Sequence, residues 1–307
     1  MQLVRQKGKY ARRRKNQVRA AVAVLAASAI ASGCAGGDSE GARGAPGQQP
    51  LKAPPARALD SYAQKLGAIQ AARVAATKRW GLAKVPLPAP PPPRTKPRLT
   101  TRKGFEVKGQ ASLPPVFTTI PTKDKVVFLT IDDGAEKDPK LLKMMGELHL
   151  PYTAFLSDYL VKEDYGYFKK MQDRGVTLNN HTLHHRYLPG LSYEDQRHEI
   201  CDMQNIIQKH YGKRPELFRP PYGNYNRDTL RAAKSCGVKA VPLWASEAFT
   251  DHMEWREWDK DLHPGDIILT HFRGREDWKG TMPDMVRRVM KTVTDRGYAV
   301  ARLEDYL

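Results

Sequence analysis

The sequence predicts a parallel α/β fold across residues 125–307, and two observations carry that reading. Short apolar runs alternate there with amphipathic segments, and strand–helix alternation over such a length builds a parallel sheet with helices on its faces. Clusters of Asp, His and Arg follow the apolar runs directly, which is where the C-terminal rim of a parallel sheet carries its site. A (β/α) barrel and an open doubly wound sheet both satisfy this pattern.

The elements follow in order. Val126 to Ile131 reads as a buried strand, its apolar run interrupted only by Thr130. Residues 139–148 suit a helix and Tyr152 to Leu156 a second strand. A helix over 164–174, a strand from Val176 to Asn179 and a long helix over 192–211 come next. Leu217-Phe218 is a short strand, and residues 226–236 form a helix stopped by Gly237 before the strand Val238 to Leu243. Asp266 to Leu269 is a strand, 282–296 a helix, and Tyr298 to Leu303 the last strand.

The chain upstream has a different character. The protein has 307 residues and a formal net charge of +18, but the charge is unevenly placed. Residues 1–124 hold 23 Lys and Arg against 5 Asp and Glu, whereas residues 125–307 hold 28 of each sign. A nucleic-acid module carries its basic patch on the folded domain, so this distribution argues against a nucleic-acid partner. It leaves an anionic membrane surface or wall polymer open to the N-terminal part.

Residues 1–33 have the build of a signal peptide: a basic start without acids, then the apolar run Ala20 to Gly33, too short to span a bilayer comfortably. The run ends in Ala31-Ser32-Gly33-Cys34, which resembles a bacterial lipobox with Cys34 as the lipid-bearing residue; cleavage near Ala31 to give a secreted protein is the alternative. Residues 34–124 read as a Gly/Pro-rich tether. Within it a marginal helix is expected over 57–84, where Leu59, Tyr62, Leu66 and Ile69 recur at three and four, followed by a polyproline spacer at Pro90 to Pro93. Cys201 and Cys236 make either one disulfide or two buried small residues.

Four clusters carry chemistry. Thr130-Ile131-Asp132-Asp133-Gly134 ends a strand, and Gly134 lets the backbone turn so that both carboxylates converge. In His181-Thr182-Leu183-His184-His185, a helical turn would put His181 and His185 on one face, although His184 offers a second register. Two imidazoles and a carboxylate form a facial metal set with positions left open. Arg219-Pro220-Pro221-Tyr222 puts a guanidinium on a stiff backbone, suited to pinning a carboxylate. Leu269-Thr270-His271 sets a histidine at a strand end, available as an acid or base.

In this order and together, the clusters resemble the motifs of the polysaccharide deacetylases, the NodB-homology or carbohydrate esterase 4 family, over residues 125–307. The resemblance implies a distorted parallel (β/α) barrel of about seven strands. It implies one divalent metal ion, zinc foremost, on Asp133, His181 and His185. It implies Asp132 as general base held by Arg219, His271 as general acid, and Tyr222 and Leu269 on the substrate and oxyanion side. The family's fourth motif is altered here. Glu247, three residues after Trp244, stands where an Asp would support the acid, and its charge would raise the His271 pKa. The following Asp-Trp has no clear counterpart, with Phe249, Trp255 or Trp258 to fill the apolar role.

The implied activity is N-deacetylation of an extracellular or cell-wall amino-sugar polysaccharide, peptidoglycan or a chitin-like glycan, by an exported, lipid-anchored protein. A same-fold amidase for non-sugar amides and an inactive wall-binding module are the alternatives. Cys34→Ser is expected to release the protein from the membrane fraction or to leave an unprocessed precursor. Fractionation and the mass of the mature N-terminus test this, and an unlipidated mature chain starting at Ser32 would exclude the lipoprotein.

Overall fold

A computed structural model describes residues 56–307, so the leader, the lipobox-like Cys34 and the start of the tether lie outside the described residues. In chain order the elements are α1 (Ala56–Arg79), β1 (Val116–Phe117), β2 (Val126–Asp133), α2 (Pro139–Leu148), β3 (Thr153–Leu156), α3 (Asp158–Val161), α4 (Tyr165–Gln172) and β4 (Thr177–Asn180). There follow α5 (Tyr193–Tyr211), α6 (Arg227–Ser235), β5 (Val241–Pro242), β6 (Ser246–Ala248), β7 (Met253–Trp255), β8 (Ile267–His271), α7 (Met282–Asp295) and β9 (Ala299–Ala301).

β2 is the centre of the fold. All eight of its residues are buried, and it pairs in parallel with β3, β8 and β9. The seven-stranded sheet runs β4-β3-β2-β8-β6-β7, with β9 on β2, and β7 is antiparallel to β6. A parallel strand with helices packed against the sheet is buried on both faces, which accounts for the nearly unbroken apolar run in β2. The α2 face is Leu141, Leu142, Met144, Met145 and Leu148; the α7 face includes Met285, Val286, Val289, Met290 and Val293. Both helices start on built caps. The Asp138 side chain accepts from the Lys140 N–H ahead of Pro139, and Thr281 and Asp284 form a reciprocal capping box, each worth about 1 kcal/mol.

The pairing is a mixed sheet beside a separate two-stranded parallel ribbon, β1 with β5, where the sequence predicts about seven parallel strands. Leu217 and Phe218, expected as a strand, make only single bridges, to Ala240 and Asn180. Pro215 before them and Pro220-Pro221 after them lack the N–H that a longer ladder needs. The β6–β7 hairpin was not legible because Ser246-Glu247-Ala248 has neither an apolar run nor strong β-formers.

α1 ends at Arg79, and its last turns are docked. Ala76 and Thr77 are buried, and Trp80 Nε1 donates to Glu147 Oε2 at 2.7 Å. Tyr62, Leu66 and Ile69 on the same helix are exposed. Leu87 then bridges β9 at Ala299. Among the described residues, no helix is long and apolar enough to cross a membrane.

Cys201 on α5 and Cys236, which caps α6, are joined in a disulfide across 35 residues of sequence. Cross-linking a loop of that length removes unfolded-chain entropy worth about 3–4 kcal/mol. Cys201→Ser/Cys236→Ser is therefore expected to lower the unfolding free energy by about 3–4 kcal/mol, read as a lower urea midpoint, and the wild type under reductant should converge on the variant. Equal midpoints for oxidised, reduced and variant protein would show that the bond does not stabilise the fold.

Candidate active site

The C-terminal ends of β2 and β8, the loop after β4 and the Arg219 segment meet at one rim. Asp132 and His271 are register partners on adjacent parallel strands, and Thr130 pairs likewise with Leu269. Alternation along each strand puts Thr130 and Asp132 on one face, with Leu269 and His271 beside them. Leu269 is buried and forms the layer beneath His271.

β2 ends in a sharp turn. Asp133 has φ +80 and Gly134 φ +98, and a Cβ on Gly134 would lie 2.4 Å from Val161 Cγ1. Only glycine fits there, and the turn brings the second carboxylate round to join the first. His181 and His185 follow β4 without a helical turn. Thr182 at φ +73 and His185 at φ +54 wrap the backbone instead, leaving the two rings 4.8 Å apart between centroids. His184 points elsewhere: its Nδ1 lies 2.9 Å from Glu199 Oε1, and its N–H donates to Glu199 Oε2. The register ambiguity is thereby resolved.

Asp133 Oδ1 lies 3.5 Å from His181 Nε2 and 3.4 Å from His185 Nε2, and the three ligand atoms fall within 4.8 Å of one another. That Asp133 oxygen is buried with no hydrogen-bond partner. A buried bare carboxylate oxygen between two imidazoles is costly in an all-protein site and well suited to a cation. The donor set, one oxygen and two nitrogens, fits a divalent transition metal.

The electrostatics of the metal-free site favour ligation by Asp133 and His185, whereas the raised His181 pKa favours a protonated ring whose proton a cation would displace. Burial raises the Asp133 pKa, but His181 outweighs it and holds the carboxyl well below the usual range. Burial, then the neighbouring His181, pushes His185 down to about 4, which keeps its ring neutral and free to ligate. For His181, burial is overcome by the Asp132 and Asp133 carboxylates and the pKa is raised; its Nδ1 sits 2.7 Å from the Arg219 carbonyl, which fixes the ring with Nε2 toward the cluster.

Arg219 is fully buried. It donates to Asp132 Oδ1 at 2.7 Å, to Thr130 Oγ1 at 2.9 Å and to the Pro242 carbonyl at 2.8 Å, with its guanidinium 4.3 Å from the Phe155 ring centroid. Tyr222, at φ +60, is exposed at the mouth with its ring edge-on to His185 at 4.7 Å.

Glu247 lies on β6 in register with Leu269, and its Oε1 is 3.3 Å from His271 Nδ1. Burial, reinforced by Glu254 and Asp132, pushes Glu247 up to about 7. The His271 pKa is lowered, not raised as the sequence suggests, because burial outweighs the nearby Asp133 and Asp132 carboxylates. A cavity of about 340 Å³ lined by Trp244, Glu247, Glu254, Trp255 and Arg256 adjoins this pair.

Two site residues were missed. Trp278 packs edge-on to His271 with centroids 6.4 Å apart and meets Phe249 at 5.6 Å, whereas Trp258 is 92% exposed and Trp255, under Arg296, lines the cavity beside Glu247. Trp278 stands in a polar loop without periodicity, so no sequence signal marks it. Arg273 donates to Asp133 Oδ2 at 2.7 Å, and its signal was its place two residues after His271.

Residues 119–241 match the family model for polysaccharide deacetylases. The chain is 40% identical over 196 residues to an uncharacterized protein of Streptomyces coelicolor, covering 64% of this chain and 78% of that one. It is 28% identical over 198 residues to the peptidoglycan-N-acetylmuramic acid deacetylase PdaA of Bacillus subtilis, covering 61% and 73%. A solved family 4 carbohydrate esterase from Bacillus anthracis superimposes with TM-score 0.51 at 27% identity, over 62% of this chain and 86% of that one.

Asp133→Ala and His185→Ala are expected to lose stoichiometric metal while keeping the wild-type circular dichroism spectrum. Elemental analysis after dialysis reads the outcome, and full retention of metal in both variants would remove these residues as ligands.

Proposed function

The chain belongs to the polysaccharide deacetylase family, and from that premise we propose that it hydrolyses N-acetyl groups on an amino-sugar polysaccharide of the cell wall, peptidoglycan foremost. The observation that carries this is the register pairing of Asp132 with His271 beside the Asp133, His181 and His185 cluster. A carboxylate and an imidazole thus flank one metal-competent position. The same reading takes the sheet, the ribbon and their bridges as one distorted barrel. It also takes the protein as exported and lipid-anchored at Cys34; the Cys201–Cys236 disulfide supports an oxidising compartment.

Asp133, His181 and His185 would hold the metal, zinc by donor set, which when bound supplies Lewis acidity toward the acetyl oxygen and the attacking water. Asp132 takes a proton from the water as its oxygen bonds to the acetyl carbon. Arg219 fixes the orientation of that carboxylate and compensates its charge in a buried setting. The backbone N–H of Tyr222 faces the developing oxyanion in this reading. The C–N bond then breaks, and His271 gives a proton to the departing sugar nitrogen, since an amine leaves poorly as an anion. The products are acetate and the free amino sugar.

Glu247 positions His271 through Nδ1, leaving Nε2 to face the substrate. Trp278 and Phe249 supply the apolar wall that the altered fourth motif lacks.

The test is acetate release by the metal-loaded protein from peptidoglycan, acetylated chito-oligomers and small non-sugar amides, with and without chelator. Chelator-sensitive release from a glycan is expected, and release from small amides alone would overturn the proposal. In the same assay Glu247→Gln should lower turnover about 10- to 100-fold, within the range general acid catalysis supplies. Glu247→Asp, which keeps the carboxyl one methylene shorter, should recover part of the loss, and normal turnover of Glu247→Gln would detach Glu247 from the acid.

A further inference from the structure

The two oxygens of Asp133 have different surroundings. Oδ1 is buried, has no hydrogen-bond partner and faces His181 and His185. Oδ2 accepts from Arg273 Nη2 at 2.7 Å. A carboxylate free on both oxygens can chelate a cation. One whose second oxygen is tied to a guanidinium must break a charged hydrogen bond before it does so.

Arg273 is itself anchored. Phe272 before it is buried and donates its N–H to the Asp132 carbonyl at 3.0 Å, and the Arg273 N–H donates to the His271 carbonyl at 3.0 Å. Its Nη1 lies 3.7 Å from Asp277 Oδ2. The guanidinium thus reaches Asp133 from a backbone fixed by β2 and β8. Its planar fork suits the task better than a lysine ammonium, which carries no preferred direction.

From this geometry we infer that Arg273 is a positioning residue that holds Asp133 as a one-oxygen ligand, leaving the remaining coordination positions for water and the acetyl oxygen. The inference rests on the metal reading above. A second effect opposes the first, because a guanidinium near a cation repels it. The Arg273 side chain is 31% exposed and partly screened by solvent, whereas Asp133 is 2% exposed and would lose the donor that fixes its second oxygen. Orientation therefore outweighs repulsion.

The experiment uses the full-length protein with zinc and, separately, cobalt(II). Zinc affinity is measured by competition with a chromophoric chelator for the wild type, Arg273→Met and Arg273→Lys. Met matches the arginine stem without a donor, and Lys restores a charged donor of nearly the same reach. Arg273→Met is expected to weaken zinc binding about 10- to 100-fold, as loss of an outer partner of a ligand does, and Arg273→Lys to recover part of it. The visible cobalt absorbance of Arg273→Met should fall as the carboxylate chelates and the coordination number rises. Zinc binding by Arg273→Met as tight as wild type, or Arg273→Lys no better than Arg273→Met, overturns the inference. Absence of stoichiometric metal from the wild type overturns the metal reading as well, so the two failures are distinguishable.

Discussion

The buried contact between Arg219 and Asp132 is the interaction on which the rest of the site depends. Taking a guanidinium and a carboxylate out of water costs several kcal/mol per ion, and their attraction offsets this only if the remaining polar atoms are also satisfied. Here they are. Thr130, Asp132 and the Pro242 carbonyl take up the guanidinium donors, and Phe155 covers its face. The partners come from β2, β3 and the end of β5, so the pair also sets how these strands meet. Loss of either member would leave a buried charge uncompensated, at about 3–5 kcal/mol. The Arg219 carbonyl meanwhile fixes the His181 ring. One residue therefore orients both the carboxylate proposed as base and a ligand proposed for the metal.

Around that pair the backbone is held in sparsely populated conformations. Asp133, Thr182, His185 and Tyr222 all have positive φ without being glycine, and each lies in the site or next to one of its residues. Each such residue costs on the order of 1–3 kcal/mol and persists only where the surroundings over-determine it. The surroundings are visible: the Gly134 turn packed against Val161, the Thr182 hydroxyl accepting from the His185 N–H, and the prolines ahead of Tyr222. The strain is spent on making side chains from four separate segments converge.

Much of this was legible in the sequence where local chemistry dictates structure. The helices at 139–148 and 192–211 are amphipathic with ordinary caps, and the structure places them at Pro139–Leu148 and Tyr193–Tyr211. Asp132, Asp133, His181, His185 and His271 reach one rim because they end or follow β2, β4 and β8, whereas Arg219 and Glu247 reach it from a bridged segment and from β6. What was illegible depends on contacts between distant segments. Whether Leu217-Phe218 pairs as a strand is decided by flanking prolines and by neighbours elsewhere in the chain. Trp278 reaches His271 only through the fold of its loop. The His271 pKa direction was misjudged from sequence because a neighbouring carboxylate is visible there and burial is not.

The folded unit also extends beyond the segment that carries the family match. That match ends at residue 241, yet Glu247, His271, Arg273 and Trp278 all come later and complete the rim. On the other side, Trp80 bonded to Glu147, Lys84 paired with Asp295 and Leu87 bridged to Ala299 fasten the N-terminal segment to α2, α7 and β9. These contacts lie on elements that support the sheet, not on the rim. Residues 80–87 are thus fastened behind the sheet and away from the rim, and the neutral charge balance of residues 125–307 leaves the rim's electrostatics to its own few charged groups.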